Sequence, residues 1–374
     1  MIARPNEEHA KAVIERFNSL VGEFVTDRNF VDMLRLVQVT LHLGGLEADD
    51  VPILRDILGD EFPSGNEQMN RELIRVLAFV QAVEPMERYL EYLSSNKANV
   101  ERLHVAMHLR FIEKGWPEGR RLDLIEFFAK ARKWDGGSSY KSYLANLERD
   151  FAKQLSADEA RSILTMGNEY PNAALGALYA ISGDTSGDWV PLLKTLDEQL
   201  NGNKDEVAQQ VRTGILAVMA QTKTEESKAF LRKVWENEPN RRLVATLGLA
   251  QEPDTNWEYL VRAVETMEGD AAREVLVKLT EVDAAPEEPE YFRQVILQGL
   301  RLKEDGAKQA NLLLSHWSGK NFAVQDASWD DELKLWQRWF QEENPDKPPA
   351  ELPVPNADSK WTMHDLLQDR KSVG

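Results

Sequence analysis

The chain has 374 residues, of which 42% are hydrophobic and 29% are charged, and its formal net charge is −18. It contains no cysteine, which excludes disulfides, thiolate zinc sites, cysteine nucleophiles and covalent c-type haem within this chain. A surface this acidic repels phosphate backbones, so we predict no nucleic-acid partner. The longest apolar run covers residues 173–181, far short of the about 20 residues of a membrane helix, so we predict no membrane insertion.

Apolar residues recur at helical spacing along almost the whole chain. In 27–43 they form one stripe, which consists of Phe30, Met33, Leu34, Val37 and Leu41. Asp27 is a candidate N-cap, and Gly44-Gly45 is a candidate stop because glycine tolerates the left-handed conformation that ends helices. Many similar segments follow, joined by turns rich in Gly, Pro, Asn, Asp and Ser. The pattern predicts an all-α fold.

One histidine pair has the spacing of metal ligands. His104 and His108 are four residues apart on a helix predicted over 99–114, with Glu101 one turn earlier. Metalloprotease helices use this spacing with a glutamate directly after the first histidine, and Val105 holds that position here. We therefore interpret the pair as the margin of an amphipathic helix and keep it as a weak metal candidate. No catalytic residue and no cofactor are predicted.

A locally basic segment and a glycine pair come next. Residues 110–133 hold seven basic and four acidic side chains, which suits either a docking face for an acidic partner or, as we favour, a solvated helix surface.

The glycine pair Gly136-Gly137 follows in the string Trp134-Asp-Gly136-Gly137-Ser138. If one helix ends at Trp134 and the next is capped by Ser138 or Ser139, the two glycines allow the backbone to reverse tightly between them.

From about residue 186 the predicted helices come in pairs. The second helices are expected to start near 207, 241 and 271, a period typical of an α-solenoid of antiparallel helix pairs, with an irregular bundle as the alternative. We therefore divide the chain into a helical-repeat domain and a C-terminal tail. The divisions are 1–343 (less regular over about 1–185, paired over about 186–343) and 344–374, a proline-rich linker with a short terminal helix.

The ten tryptophans are many for an acidic helical chain. Trp329, Trp336 and Trp339 share a terminal helix, and Trp317 is a further structural or interaction candidate. Aromatic residues at helical spacing are usually core, and at the end of a solenoid they can cover the last repeat. An exposed part of this group would be a partner site. Tryptophan abundance also leaves open a small-molecule site in the concave face of the solenoid.

Several local strings together resemble one family. They are His104-Val-Ala-Met-His-Leu-Arg110, Gly115-Trp-Pro117, Trp134-Asp-Gly-Gly-Ser-Ser-Tyr140, Leu312-Leu-Leu-Ser-His-Trp317-Ser-Gly-Lys320 and Trp336-Gln-Arg-Trp-Phe340. Over roughly 100–374 the chain looks like the HEAT-like repeat segment of large multidomain proteins of the planctomycete and verrucomicrobial type. Those proteins join an N-terminal β-propeller resembling sugar dehydrogenases to HEAT-like repeats and a C-terminal c-type cytochrome domain.

The resemblance implies a non-catalytic scaffold that holds a dehydrogenase-like domain and a haem domain apart. Its partners would be proteins or neighbouring domains of the same polypeptide, and its location would be periplasmic or exported. Without cysteine, the chain has no counterpart of the family's haem attachment site. The resemblance therefore implies either the middle segment of a longer protein or a stand-alone relative. A metal-dependent hydrolase using His104 and His108 is the alternative from another class.

Overall fold

The computed structural model describes residues 6–322 and 328–352, and these form α-helices, three short 3₁₀ helices and connecting turns. No strand occurs among the described residues, which confirms the all-α prediction. In chain order the helices are α1 (Glu7–Val21), α2 (Asp27–Gly44), α3 (Pro52–Glu61), α4 (Glu67–Phe79), α5 (Met86–Ser94), α6 (Asn99–Leu109), α7 (Arg120–Ala131), α8 (Tyr140–Ala152), α9 (Ala157–Thr165), α10 (Pro171–Ala180), α11 (Val190–Gln199), α12 (Glu206–Thr222), α13 (Glu225–Asn237), α14 (Arg242–Leu249), α15 (Pro253–Ala263), α16 (Gly269–Thr280), α17 (Pro289–Leu302), α18 (Ala307–Ser318) and α19 (Trp329–Glu343).

Helix α2 shows how the local sequence signals act. Its buried stripe includes Phe30, Leu34, Val37 and Leu41, as the apolar spacing predicts. The N-cap is Thr26 rather than Asp27, because the Thr26 hydroxyl accepts a hydrogen bond from the amide of Asn29. Gly45 ends the helix with φ at 65°, and its amide donates to the carbonyl of Leu41.

The chain forms two compact units, Met1–Val218 and Met219–Gly374, and the division falls inside α12. In the first unit α2 packs against α1 and α4, and α6 packs against α4, α5 and α7. Further along, α7 contacts α9, α10 contacts α8 and α9, and α9 contacts α11. In the second unit α14 packs against α13, α15 and α16, and α18 packs against α16, α17 and α19.

The helix starts expected in the paired region lie within two residues of those observed. The helices predicted to begin near 207, 241 and 271 are α12, α14 and α16, which begin at Glu206, Arg242 and Gly269. After α19, the first residues of the proline-rich tail lie against α17 and α19. There Arg293 Nε donates to the carbonyl of Pro349 at 3.1 Å, and Gln337 Nε2 donates to that of Ala350 at 2.6 Å. The short helix predicted near the C-terminus lies outside the described residues.

None of the described helices combines the length and the apolar composition that crossing a bilayer requires.

Candidate interaction site

The histidine pair lies on α6, which ends at Leu109 instead of continuing to residue 114. The early end coincides with hydrogen bonds from the side chain of Gln81, about 30 residues earlier in the chain. Its Nε2 donates to the carbonyl of Phe111 at 2.8 Å, and its Oε1 accepts from the amide of Glu113 at 2.9 Å. This amide side chain therefore satisfies backbone groups that a longer helix would pair internally.

Both histidines already use one ring nitrogen within the fold. His104 Nε2 donates to the carbonyl of Arg71 at 3.2 Å, and His108 Nδ1 donates to the carbonyl of His104 at 2.7 Å. Burial lowers the pKa of both imidazoles, and the positive charge of Arg75 acts on both in the same direction. Arg71 adds to this effect at His104, and Arg110 adds to it at His108. The neighbourhood thus disfavours added positive charge, whether a proton or a metal cation.

Glu101 is committed to an ion pair. Its carboxylate is 3% exposed and accepts from Arg71 Nε at 2.9 Å, and Arg71 Nη2 bonds its second oxygen. Such a bidentate pair fixes the orientation of both side chains. Within the described residues, no group of three His, Cys, Asp or Glu side chains is arranged to hold a metal ion.

Helices α2, α4 and α6 form a layer whose outer side meets solvent. Each helix packs on the next, and we call the exposed side of this layer the α2–α4–α6 face. It carries basic, imidazole and apolar side chains, namely Arg35, Leu36, Val39, Leu43, Arg71, Arg75, Phe79, His104 and His108, with Phe111 directly after α6. Leu36, Val39 and Leu43 are spaced at i, i+3 and i+7, so they form one apolar stripe on the solvent side of α2.

Buried carboxylates hold the arginines of this face from below. Glu72 is 6% exposed and accepts from Arg35 Nε at 3.1 Å, from Arg75 Nη1 at 2.7 Å and from Gln38 Nε2 at 3.0 Å. The guanidinium groups of Arg35 and Arg75 remain about half exposed above it. Together with Arg71 they surround a shallow pocket of about 490 Å³. Glu72 is therefore covered while the guanidinium groups face solvent, and the exposed side chain of Glu67 also lines the pocket.

Trp134 lines a second concavity, a groove of about 660 Å³ beside α5, α6 and α7. Its ring meets Phe127 edge to face at 5.6 Å between centroids, and the guanidinium carbon of Arg102 lies 5.0 Å from the indole centroid. Leu90 and Leu93 add apolar surface to the lining. Salt bridges such as that of Arg120 with Glu87 form the rim, so the groove combines an aromatic wall with paired charges.

The glycine pair after Trp134 has a different role from the one expected. Helix α7 ends at Ala131, α8 begins after Ser139, and neither Gly136 nor Gly137 has a positive φ. A Cβ on Gly136 would lie 2.4 Å from Cγ of Tyr140, whereas one on Gly137 would meet open space. The close approach of the Tyr140 ring therefore requires glycine at 136 only. Ser138 is exposed.

The basic segment 110–133 is largely neutralised by carboxylates. Besides the pair of Arg120 with Glu87, salt bridges join Arg121 to Glu159, Lys130 to Glu126 and Arg132 to Glu148. Several of these carboxylates come from neighbouring helices, so much of the local excess of positive charge in the sequence is paired in the structure.

The C-terminal tryptophans pack with one another inside the second unit. Trp336 is fully buried, and its indole N–H donates to Asn311 Oδ1 at 2.6 Å. The ring of Phe292 lies 5.4 Å from that of Trp317 and 5.8 Å from that of Trp339. These edge-to-face contacts join α17, α18 and α19.

The sequence analysis did not single out the buried acids Glu72 and Glu148, and it named Glu101 only as a neighbour of the histidine pair. A signal was present at Glu148, because Leu144, Leu147, Glu148 and Phe151 follow helical spacing and place a carboxylate on an apolar stripe. A charge at such a position indicates either a buried ion pair or a functional group.

Neither a protein-family model, nor a curated protein, nor a solved structure matches this chain.

Proposed function

We propose that this chain is a non-catalytic HEAT-like scaffold built from stacked antiparallel helix pairs. The observation that carries the proposal is the order of contacts: within each unit, the extensive contacts link a helix to the next helix or to the next but one. Stacked helix pairs bury their apolar sides against their neighbours in this way, whereas an irregular bundle brings distant helices together.

Three side-chain bonds to backbone carbonyls, in the two units, span about the length of one helix pair. His104 bonds the carbonyl of Arg71, which is 33 residues earlier. Gln298 Nε2 donates to the carbonyl of Met267 at 3.0 Å, and His316 Nε2 donates to that of Val282 at 2.8 Å, across 31 and 34 residues. A bond that recurs after about one helix pair supports a repeat of that length.

The scaffold would act by holding protein partners or neighbouring domains in place. The family resemblance supplies the specific proposal of a spacer between a dehydrogenase-like domain and a c-type haem domain. Such partners would use two surfaces of the first unit, the α2–α4–α6 face and the Trp134 groove. HEAT-like stacks bind proteins along extended surfaces of this kind.

The alternatives receive less support from the geometry. A metal-dependent hydrolase would need His104 and His108 to hold a cation, and both rings lie among arginines with a nitrogen already bonded to backbone. A small-molecule site was suggested by tryptophan abundance. Packing accounts for half of the ten tryptophans, because Trp116, Trp189, Trp235, Trp317 and Trp336 are buried.

Two measurements test the proposed function. Elemental analysis of the purified protein and of His104→Ala should show no stoichiometric metal in either, and metal lost on substitution would overturn the non-catalytic assignment. The gene on either side of this chain tests the spacer. A propeller-coding segment upstream with a Cys-x-x-Cys-His haem attachment sequence downstream is the expected result. A start codon and a stop codon directly at the ends would overturn the spacer.

A further inference from the structure

We propose that the α2–α4–α6 face binds an acidic amphipathic segment of a partner protein, one that carries Asp or Glu side chains beside apolar ones. The inference rests on the proposed scaffold function and adds the chemistry of the partner. It follows from a contrast: the chain is acidic as a whole, yet three exposed arginines and one exposed acid, Glu67, line the pocket at the centre of this face.

The arginines are positioned before any partner arrives. Glu72 holds Arg35 and Arg75, and Glu101 holds Arg71, and both carboxylates lie beneath the surface. Each guanidinium has five N–H donors and uses only some of them within the fold, so donors remain on the solvent side. A partner carboxylate would gain charge-assisted hydrogen bonds here without the cost of ordering flexible side chains.

Apolar side chains flank these charges on every helix of the layer. Leu36 is 57% exposed on α2, Phe79 is 46% exposed at the end of α4, and Phe111 is 52% exposed after α6. The guanidinium carbon of Arg110 lies 4.4 Å from the Phe111 ring centroid, which helps to hold that ring in place. Apolar residues next to arginines at the centre of a patch are typical of protein interfaces.

The acids of the surrounding surface restrict where the partner's carboxylates can lie. Asp32 and Glu67 are exposed at the N-terminal edge of the face, and Asp32 bonds Arg35. Charges further away are screened within about 10 Å at 0.1 M salt. A partner carboxylate is therefore favoured near Arg75, two turns along α4 from Glu67, and apolar side chains are favoured near Val39 and Phe79.

Fluorescence anisotropy with two synthetic helical peptides tests the proposal. One labelled peptide carries leucine on one side and glutamate on the other, and the second replaces every glutamate with glutamine. We expect the glutamate peptide to bind about tenfold more tightly, the gain of about one charge-assisted contact. Arg75→Gln should remove most of that difference. This variant keeps Glu72 paired with Arg35 and Gln38, so it should remain folded.

Matched variants in the second unit provide the controls. Arg273 is paired with Asp270 three residues earlier, as Arg75 is with Glu72, and both arginines are similarly exposed. Arg273→Gln should leave binding unchanged. Phe79→Ser should weaken both peptides by about the same factor, and Leu312→Ser, at a residue 55% exposed, should weaken neither. Circular dichroism confirms that each variant is folded.

Three results would overturn the proposal: no binding of either peptide, equal affinity for both, or an Arg75→Gln variant that keeps the full preference for glutamate. None of these results bears on the proposed scaffold function, which is tested separately by the metal analysis and the flanking gene sequence.

Discussion

Glu148 on α8 is a fully buried carboxyl whose ionisation should control stability near neutral pH. Burial raises its pKa from 4.5 to about 7, and the nearby guanidinium of Arg132, with Nε at 3.0 Å from Oε2, opposes that rise only in part. Because the folded state holds the proton more tightly than the unfolded chain, this group's contribution to stability is complete below pH 4.5. It is lost as the pH rises towards and past 7.

The magnitude follows from the two pKa values. At about 1.4 kcal/mol for each pH unit, a rise from 4.5 to about 7 corresponds to about 3 kcal/mol. Glu148→Gln has nearly the shape of the protonated acid and does not ionise. We therefore expect this variant to match the wild type at pH 4 and to be more stable by about 3 kcal/mol at pH 8.

Urea unfolding followed by circular dichroism at several pH values measures this difference. Glu72→Gln is the matched control on another buried glutamate. Although burial opposes it, hydrogen bonds from Gln38, Arg75 and Arg35 lower the pKa of Glu72. This control should lose stability at neutral pH, and the loss should shrink as the pH falls below the usual range of a glutamate. A Glu148→Gln difference that stays constant between pH 4 and 8, or that grows towards low pH, would refute the reasoning.

Three further substitutions test local packing by thermal or urea unfolding. Gly136→Ala should destabilise the protein by about 1–3 kcal/mol, because its Cβ meets the ring of Tyr140. Gly137→Ala should change stability by less than about 1 kcal/mol, and equal effects of the two substitutions would contradict the contact with Tyr140. Gly176→Ala should cost at least about 2 kcal/mol, because its Cβ would lie 2.3 Å from the carbonyl oxygen of Arg149, where α10 crosses α8. Unchanged stability would contradict this close contact, because it would mean that α10 and α8 can move apart at no cost. Asn311→Leu should cost about 1–3 kcal/mol by leaving the buried indole N–H of Trp336 without an acceptor, and Trp336→Phe in that background should then cost less than in the wild type.

The sequence predicts helix positions well where the signals, apolar spacing and capping residues, lie within the helix itself. Periodicity located α2, and Gly45 ends it as expected, because capping depends on residues within one turn. The same local logic was wrong at residue 110. A long helix over 99–114 fits the apolar pattern, and Gln81, about 30 residues earlier, ends it by bonding the backbone around Phe111.

The candidate site shows the same limit. The sequence draws attention to His104 and His108 because their spacing lies within one helix. It does not show which side chains from other helices surround them. Arg71 and Arg75 come from α4, and Glu72 lies beneath Arg35 of α2, so only the packing of three helices places positive charge around the histidines. The basic segment 110–133 is the opposite case, because carboxylates from other helices neutralise much of the positive charge that the sequence indicates there.

The sequence by itself determined the all-α class, most helix positions, the absence of cysteine chemistry and the strong negative charge. These properties depend on composition and on spacing within single helices. Tertiary structure alone decided which carboxylates are buried and which arginines face solvent. Burial and charge pairing join residues about 15 to 40 positions apart, and spacing within a single helix carries no signal for those pairs.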